Sequence, residues 1–218
     1  MTKKTTIYDI AKKLNITAAT VSRALNNSSE ISKATRQLVL KTAAEMNYVQ
    51  NKFALALQNG ISNNVGVIVP RVDISFFGSV IRGIEEELNP HGYHVIICQT
   101  YLNTEKESSC IDMLLNAQVD GILLSTSNIV AEPFEKILKK NIPLIFFDRK
   151  IDVIGASSVT INDFIGGYKA TEHLIEQGFT KIAHFAGNRS IDIYKKRYLG
   201  YKQALIDYGL EINEEYIL

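Results

Sequence analysis

The chain has 218 residues, 46% hydrophobic and 22% charged, a length that permits a small head plus one or two α/β units. Its start, MTKKTTIYDIAKK, lacks the apolar signal core of about 7–15 residues and no run approaches a membrane span, which argues against an exported protein and leads to the expectation of a cytoplasmic one. The formal net charge of +1 conceals a strong polarity: residues 1–62 carry nine Lys/Arg against three Asp/Glu, a net of +6, and residues 63–218 carry fifteen against twenty, a net of −5. A basic head on an acidic body suits a protein that presents one end to a polyanion.

Ile7, Ile10, Ala11 and Leu14 recur at the i, i+3, i+4, i+7 spacing of an amphipathic helix. Asn15 and Ile16 break it, and Thr17 is a good N-cap for a second helix whose apolar face holds Val21, Ala24 and Leu25. Ser32 caps a third helix, lined by Val39, Ala43 and Met46. Two short helices joined by a tight turn and braced by a third predict a helix-turn-helix, whose second helix enters the major groove. Thr17, Ala18 and Ala19 sit at the end of that helix where base edges are met, and alanine methyls suit a thymine methyl. Arg23 is placed to fork onto the O6 and N7 of a guanine. The hydroxyls of Tyr8 and Thr17 and the helix N-terminus are phosphate donors. The alternative is an ordinary surface helix on a small bundle, which the confinement of basic charge to this region disfavours.

DIAKKLNITAATVSRALN, followed by TRQLVLKTAAEMNYVQN, resembles the DNA-binding head of the lactose-repressor (LacI/GalR) family of bacterial transcription regulators. The resemblance runs on through the whole chain. It implies a homodimer that binds a pseudo-palindromic double-stranded operator and changes affinity when a small effector binds the body. By resemblance Thr17, Ala18, Ala19 and Arg23 occupy base-reading positions, while Tyr8, Asn26 and Asn51 occupy phosphate-contact positions.

Residues 51–58, NKFALALQ, are too short for a stable isolated helix, which needs roughly 12 residues in water. In the family this hinge becomes helical when two copies pair over the minor groove, and Leu57 matches the leucine that wedges between base steps. Two departures stand out: Gln50 where a proline is frequent, and Leu55 where a polar or basic residue is usual. Which of Leu55 and Leu57 is the wedge stays open. Gly60, Ser62, Asn63 and Asn64 read as the flexible end of a linker.

From Val65 onward, apolar runs alternate with helical stretches. Residues 65–69, 94–99, 121–125, 143–147, 159–162 and 181–186 read as strands, with helices near 78–89, 104–117, 132–140, 167–177 and 194–208. Short, nearly continuous Val/Ile/Leu/Phe strands between helices predict a parallel sheet covered on both faces, with ligands at the strands' carboxyl ends. The expected fold is therefore an all-α helix-turn-helix head plus an α/β, periplasmic-binding-protein-like body. The expected boundaries are 1–50 for the head, 51–64 for hinge and linker, 65–163 for the first subdomain of the body, and 164–218 for the start of a second.

Phe76 and Phe77 follow the first strand and suit stacking on a sugar ring or purine, or else belong to the core. By resemblance Asp148 matches an aspartate that accepts hydrogen bonds from the effector, and Arg197 matches an arginine that donates to its hydroxyls or carboxylate. Such charge-assisted bonds are about twice as strong as neutral ones. Arg149 pairing with Asp148, and a solvated Arg197, are the structural alternatives. Asp163 reads as a weaker candidate or a helix cap. The effector expected is a sugar or related polyol.

His91, His94, His173 and His184 lack ligand spacing, and Cys98 and Cys110 lack framework spacing, so neither a metal nor a disulfide is expected. No Gly-rich phosphate loop, nucleophile elbow or His-Glu-x-x-His occurs. No cofactor, no membrane partner and no catalysis is expected. The rival reading is a small-molecule-binding protein of the periplasmic type without operator recognition. Because residues 164–218 supply one clear strand and family members run on for about a hundred residues more, the chain is expected to be a fragment with an incomplete second subdomain.

Overall fold

The computed structural model describes residues 5–49 and 60–218; the expectations for Gln50, Asn51, Leu55 and Leu57 fall outside them. The chain divides between Asn59 and Gly60 into two units.

In the first unit, α1 (Ile7–Leu14), α2 (Ala18–Leu25) and α3 (Lys33–Glu45) follow the apolar spacing. Thr6 and Asp9 form a capping box at the start of α1: the Thr6 N–H donates to Asp9 Oδ2 at 2.8 Å and the Asp9 N–H to Thr6 Oγ1 at 3.4 Å. Asn15 ends α1 in the left-handed region at φ 53°, which a short Asx side chain tolerates, and its N–H returns to the carbonyls of Ala11 and Lys12. Ile10, Val21 and Val39 are fully buried at the junction of the three helices, with Ala11, Ala24 and Ala43 beside them. Alanines at three of six core positions let such short helices approach closely.

The second unit is built on a five-stranded parallel sheet in the order β2-β1-β3-β4-β5, with β1 (Asn64–Val69), β2 (His94–Gln99), β3 (Gly121–Leu124), β4 (Leu144–Phe147) and β5 (Ser157–Val159). The even register sets Val67 between Ile97 and Leu123, and Leu123 beside Ile145. Helix α4 (Ser75–Leu88) covers one face, placing Phe77 and Ile81 on Val67, Val69 and Phe147. On the other face α5 (Thr104–Asn116) and α6 (Glu132–Lys139) bury Ile111, Leu114, Phe134 and Ile137 against Ile68, Ile122, Leu124 and Phe146. Phe134 meets Phe146 edge-on, with ring centroids 5.2 Å apart. Each such large side chain removed from water contributes about 1.5–3 kcal/mol before entropy is counted.

Beyond β5, α7 (Asp163–Glu176) and α8 (Asp192–Asp207) pack at backbone distance. A Cβ on Gly167 would lie 2.2 Å from the Arg197 carbonyl oxygen, and one on Gly200 would lie 2.0 Å from that of Phe164. Only glycine permits this approach. Tyr201 and Leu205 of α8 bury with Ile182, and the Tyr201 hydroxyl donates to the Ile182 carbonyl at 2.8 Å.

Two strand expectations are corrected. The strand expected at 159–162 lies at Ser157–Val159, where a polar edge pairing hides from an apolar pattern. The strand expected at 181–186 is reduced to a single parallel bridge, His184 to Ile217. It runs beside residues 216–218: the His184 N–H donates to Tyr216 O at 2.7 Å and the Ala186 N–H to Leu218 O at 2.7 Å. A strand is defined by its pairing with a neighbour, which an apolar run does not by itself supply.

Candidate functional site

The turn between α1 and α2 fixes the candidate reading helix. Thr17 caps α2, accepting from the Thr20 N–H at 3.1 Å and sharing a 2.9 Å hydrogen bond with the Thr20 hydroxyl. Thr17, Ala19, Arg23 and Asn26 are exposed, whereas Ala18 is half-buried and packs against the head's core. Tyr8 stands out from α1 at 71% exposure. Arg23 is not idle: its Nε lies 3.4 Å from Glu30 Oε2, with both side chains more than half exposed.

In the body, the four residues singled out by sequence meet at one cavity of about 560 Å³, lined among others by Phe76, Phe77, Phe147, Asp148, Arg149, Tyr194 and Arg197. It opens at the carboxyl ends of β1 and β4, where a parallel sheet gathers its loops. Phe76 is half-exposed, while Phe77 is buried in the core beneath it, their rings edge-to-face at 5.1 Å. Phe77 thus belongs both to the core and to the cavity wall. A smaller cavity of about 230 Å³ shares Asp148 and Arg149 and adds Ser127, Asn128 and Lys196.

Asp148 occupies the left-handed region at φ 59° immediately after β4, a conformation that turns the chain sharply at the strand end. Its Oδ2 accepts from the Ser125 hydroxyl at 3.1 Å. Burial pushes its carboxyl above the ordinary carboxylate range, against the opposing pull of Ser125, Arg149 and Arg197. Arg149 is 9% exposed, its Nε 3.8 Å from Asp148 Oδ2, an ion pair beyond hydrogen-bond length. Its Nη2 reaches the Tyr194 hydroxyl at 3.4 Å, and its Nε and Nη1 have no hydrogen-bond partner among the described residues. Arg197 does not reach Asp148; its Nε donates to Asp163 Oδ1 at 2.8 Å. Asp163 is 4% exposed, and the cap of α7 is Asn162, so Asp163 is the anchor of Arg197 rather than a helix cap.

Sequence reasoning missed Glu107. On the first turns of α5 and fully buried, it accepts from the Thr126 hydroxyl at 2.8 Å, the Ser127 N–H at 2.8 Å and the Asn128 side-chain amide at 2.7 Å. It holds the loop that follows β3 in the cavity wall. Its only sequence signal is a charged residue on the apolar side of an amphipathic helix. The sequence offers Arg149 as a partner for Asp148, and the clue to its being a buried cation is its place two residues past an apolar strand.

The sequence pattern of "Bacterial regulatory proteins, lacI family" matches residues 6–51. That of "Periplasmic binding proteins and sugar binding domain of LacI family" matches residues 62–218, most of the chain. The chain belongs to the LacI family. It is 34% identical over 218 residues to the HTH-type transcriptional regulator DegA of Bacillus subtilis, covering 99% of this chain and 65% of that protein. It is 34% identical over 201 residues to the ribose operon repressor of Halalkalibacterium halodurans, covering 92% and 60%. Among solved structures, a LacI-family regulator from Silicibacter pomeroyi superposes with a TM-score of 0.77 at 27% identity, covering 95% of this chain and 63% of that one. The LacI-family chain thus spans about two thirds or less of the length of these relatives, which are named as regulators and not as enzymes. Among the described residues no helix is long and apolar enough to cross a membrane.

Proposed function

We propose that this LacI-family protein is a repressor-type transcription regulator that binds a pseudo-palindromic operator as a homodimer in the cytoplasm. Residues 1–50 form the DNA-binding head, 51–64 the hinge and linker, 65–163 the first subdomain of the effector-binding body and 164–218 the start of the second. Thr17, Ala18, Ala19 and Arg23 read bases, with Ala18 contributing mainly through close packing. Tyr8, Asn26 and Asn51 contact phosphates, and Leu57 enters the minor groove. The observation that carries this reading is the exposed polar face of α2, capped by Thr17 and ending at Arg23, on a head whose residues 1–50 carry eight Lys/Arg against three Asp/Glu, a net charge of +5.

The effector is a sugar or related polyol bound by Phe76, Phe77, Asp148 and Arg197. Asp148, when ionised, only accepts hydrogen bonds, and Arg149 beside it only donates. A hydroxyl does both, so a polyol satisfies this pair with one group while an aromatic wall takes the ring face. The relative named for a ribose operon supports the same class.

Selection from a random duplex library with the 218-residue chain tests the reading. Enrichment of one motif is the expected result. A pool that stays random after several rounds would remove the DNA assignment.

A further inference from the structure

The three acids of residues 1–62 are differently employed. Asp9 completes the capping box of α1, and Glu45 lies 3.3 Å from Lys13 on the neighbouring helix. Glu30 lies against the reading helix, with its Oε2 3.4 Å from Arg23 Nε. The backbone that carries it is tied to its surroundings. The Ser28 N–H donates to the Arg23 carbonyl at 3.0 Å, and Arg36 Nη2 donates to the Ser28 carbonyl at 2.7 Å. The Glu30 N–H in turn donates to Ser28 Oγ at 3.4 Å. A short loop, tied to both α2 and α3, therefore carries a carboxylate to the one arginine of the reading helix.

We propose that Glu30 determines specificity by holding the Arg23 guanidinium in the free head and yielding it only to a base edge with two acceptors. This rests on Arg23 being a base-reading residue. The pair is solvent-exposed, so its grip is weak, a factor of a few in an equilibrium constant. That weakness is what makes it useful as a filter. Every DNA sequence must break the pair and must bring phosphates up to a carboxylate that repels them. A guanine edge repays the loss with two parallel hydrogen bonds, whereas a lone phosphate contact or a wrong base does not. Specificity here comes from a penalty on the wrong partner as much as from attraction to the right one.

The test compares the full 218-residue chain with Glu30→Gln, Arg23→Ala and the double variant. Binding is followed by fluorescence anisotropy on a random-sequence duplex and on the selected operator across a sodium chloride series. Glu30→Gln is expected to tighten random-duplex binding about three-fold at low salt, the size of a released exposed pair. It is also expected to steepen the salt dependence and to lower the preference for operator over random sequence. In the Arg23→Ala background the same change is expected to have well under half that effect, because there is no guanidinium left to release. An equal effect in both backgrounds, or none in either, overturns the inference by reducing Glu30 to bulk charge. If Arg23→Ala binds the operator as well as the parent, the base-reading assignment falls and takes this inference with it. If Arg23→Ala loses the operator while Glu30→Gln acts alike in both backgrounds, the Glu30 inference falls alone.

Discussion

Gly166 and Gly167 are adjacent in α7, yet their surroundings are opposite. A Cβ on Gly166 meets nothing within 4 Å, whereas one on Gly167 would lie 2.2 Å from the Arg197 carbonyl oxygen and 2.9 Å from its Cα. The obstacle at Gly167 is backbone, which cannot swing aside as a side-chain tip does, so α7 and α8 must part by about 1 Å. Overpacking of a close interface costs about 1–3 kcal/mol, and the rigid obstacle favours the upper end. Alanine in a helix interior returns about 0.5–1 kcal/mol relative to glycine. Gly167→Ala should therefore lose about 2 kcal/mol net, a fall of roughly 4–8 °C in Tm for a unit of this size. Gly166→Ala should gain the helix term alone, a rise of about 2 °C. Thermal denaturation followed by circular dichroism on the three proteins measures both. The parting of α7 from α8 should also break the 2.8 Å bond between Asp163 and Arg197, so Gly167→Ala should weaken effector binding as well. If the two variants melt alike, or if Gly167→Ala melts at or above the parent, the close approach and the argument built on it are wrong.

Glu107→Ala leaves three donors at the cavity wall unpaired and should cost about 3 kcal/mol or more in urea denaturation. Glu107→Gln keeps an acceptor for Thr126 and Asn128 but sets its amide against the Ser127 N–H, so it should cost roughly half as much. Burial raises the Asp148 carboxyl, so the folded state carries a cost at neutral pH that is relieved as pH falls through the raised value towards the ordinary carboxylate range. Asp148→Asn should accordingly melt higher than the parent at pH 7.5, with the difference closing as the medium is acidified; a gap that is constant with pH would contradict this. Thr6→Ala opens the capping box of α1 and should cost the head about 1 kcal/mol, read as helicity lost below the melting transition.

The head was legible almost to the residue because its helices are short, amphipathic and capped by side chains. Thr17 and Ser32 do what their types do at an N-cap, and Val21, Ala24 and Val39 bury where the spacing places them. The central strands β1, β3 and β4 were legible because strands buried on both faces are apolar throughout. The edge strand β5 was not, since Ser157, Ser158 and Val159 are all exposed and its place is set by the β4 ladder. The segment at 181–186 misled for the converse reason: its composition suits a strand, but among the described residues its pairing is the single bridge from His184 to Ile217. Of the cavity, Phe76 was found from its place after the first strand and Asp148 and Arg197 through resemblance, while the Asp163 anchor and the Glu107 clamp depend on long-range geometry that no local pattern encodes. The same holds for Gly167 and Gly200, whose necessity comes from what lies across the interface.

The central claim is that α2 reads base sequence, and Arg23 is the residue on which that claim can be measured. Parent and Arg23→Ala chains are titrated with the selected operator and with every single-base-pair variant of it at fixed salt. Arg23→Ala should cost about 1–3 kcal/mol on the operator and should relax the preference at one base pair while leaving the others in place. Equal affinity of the two proteins at every position would contradict the account.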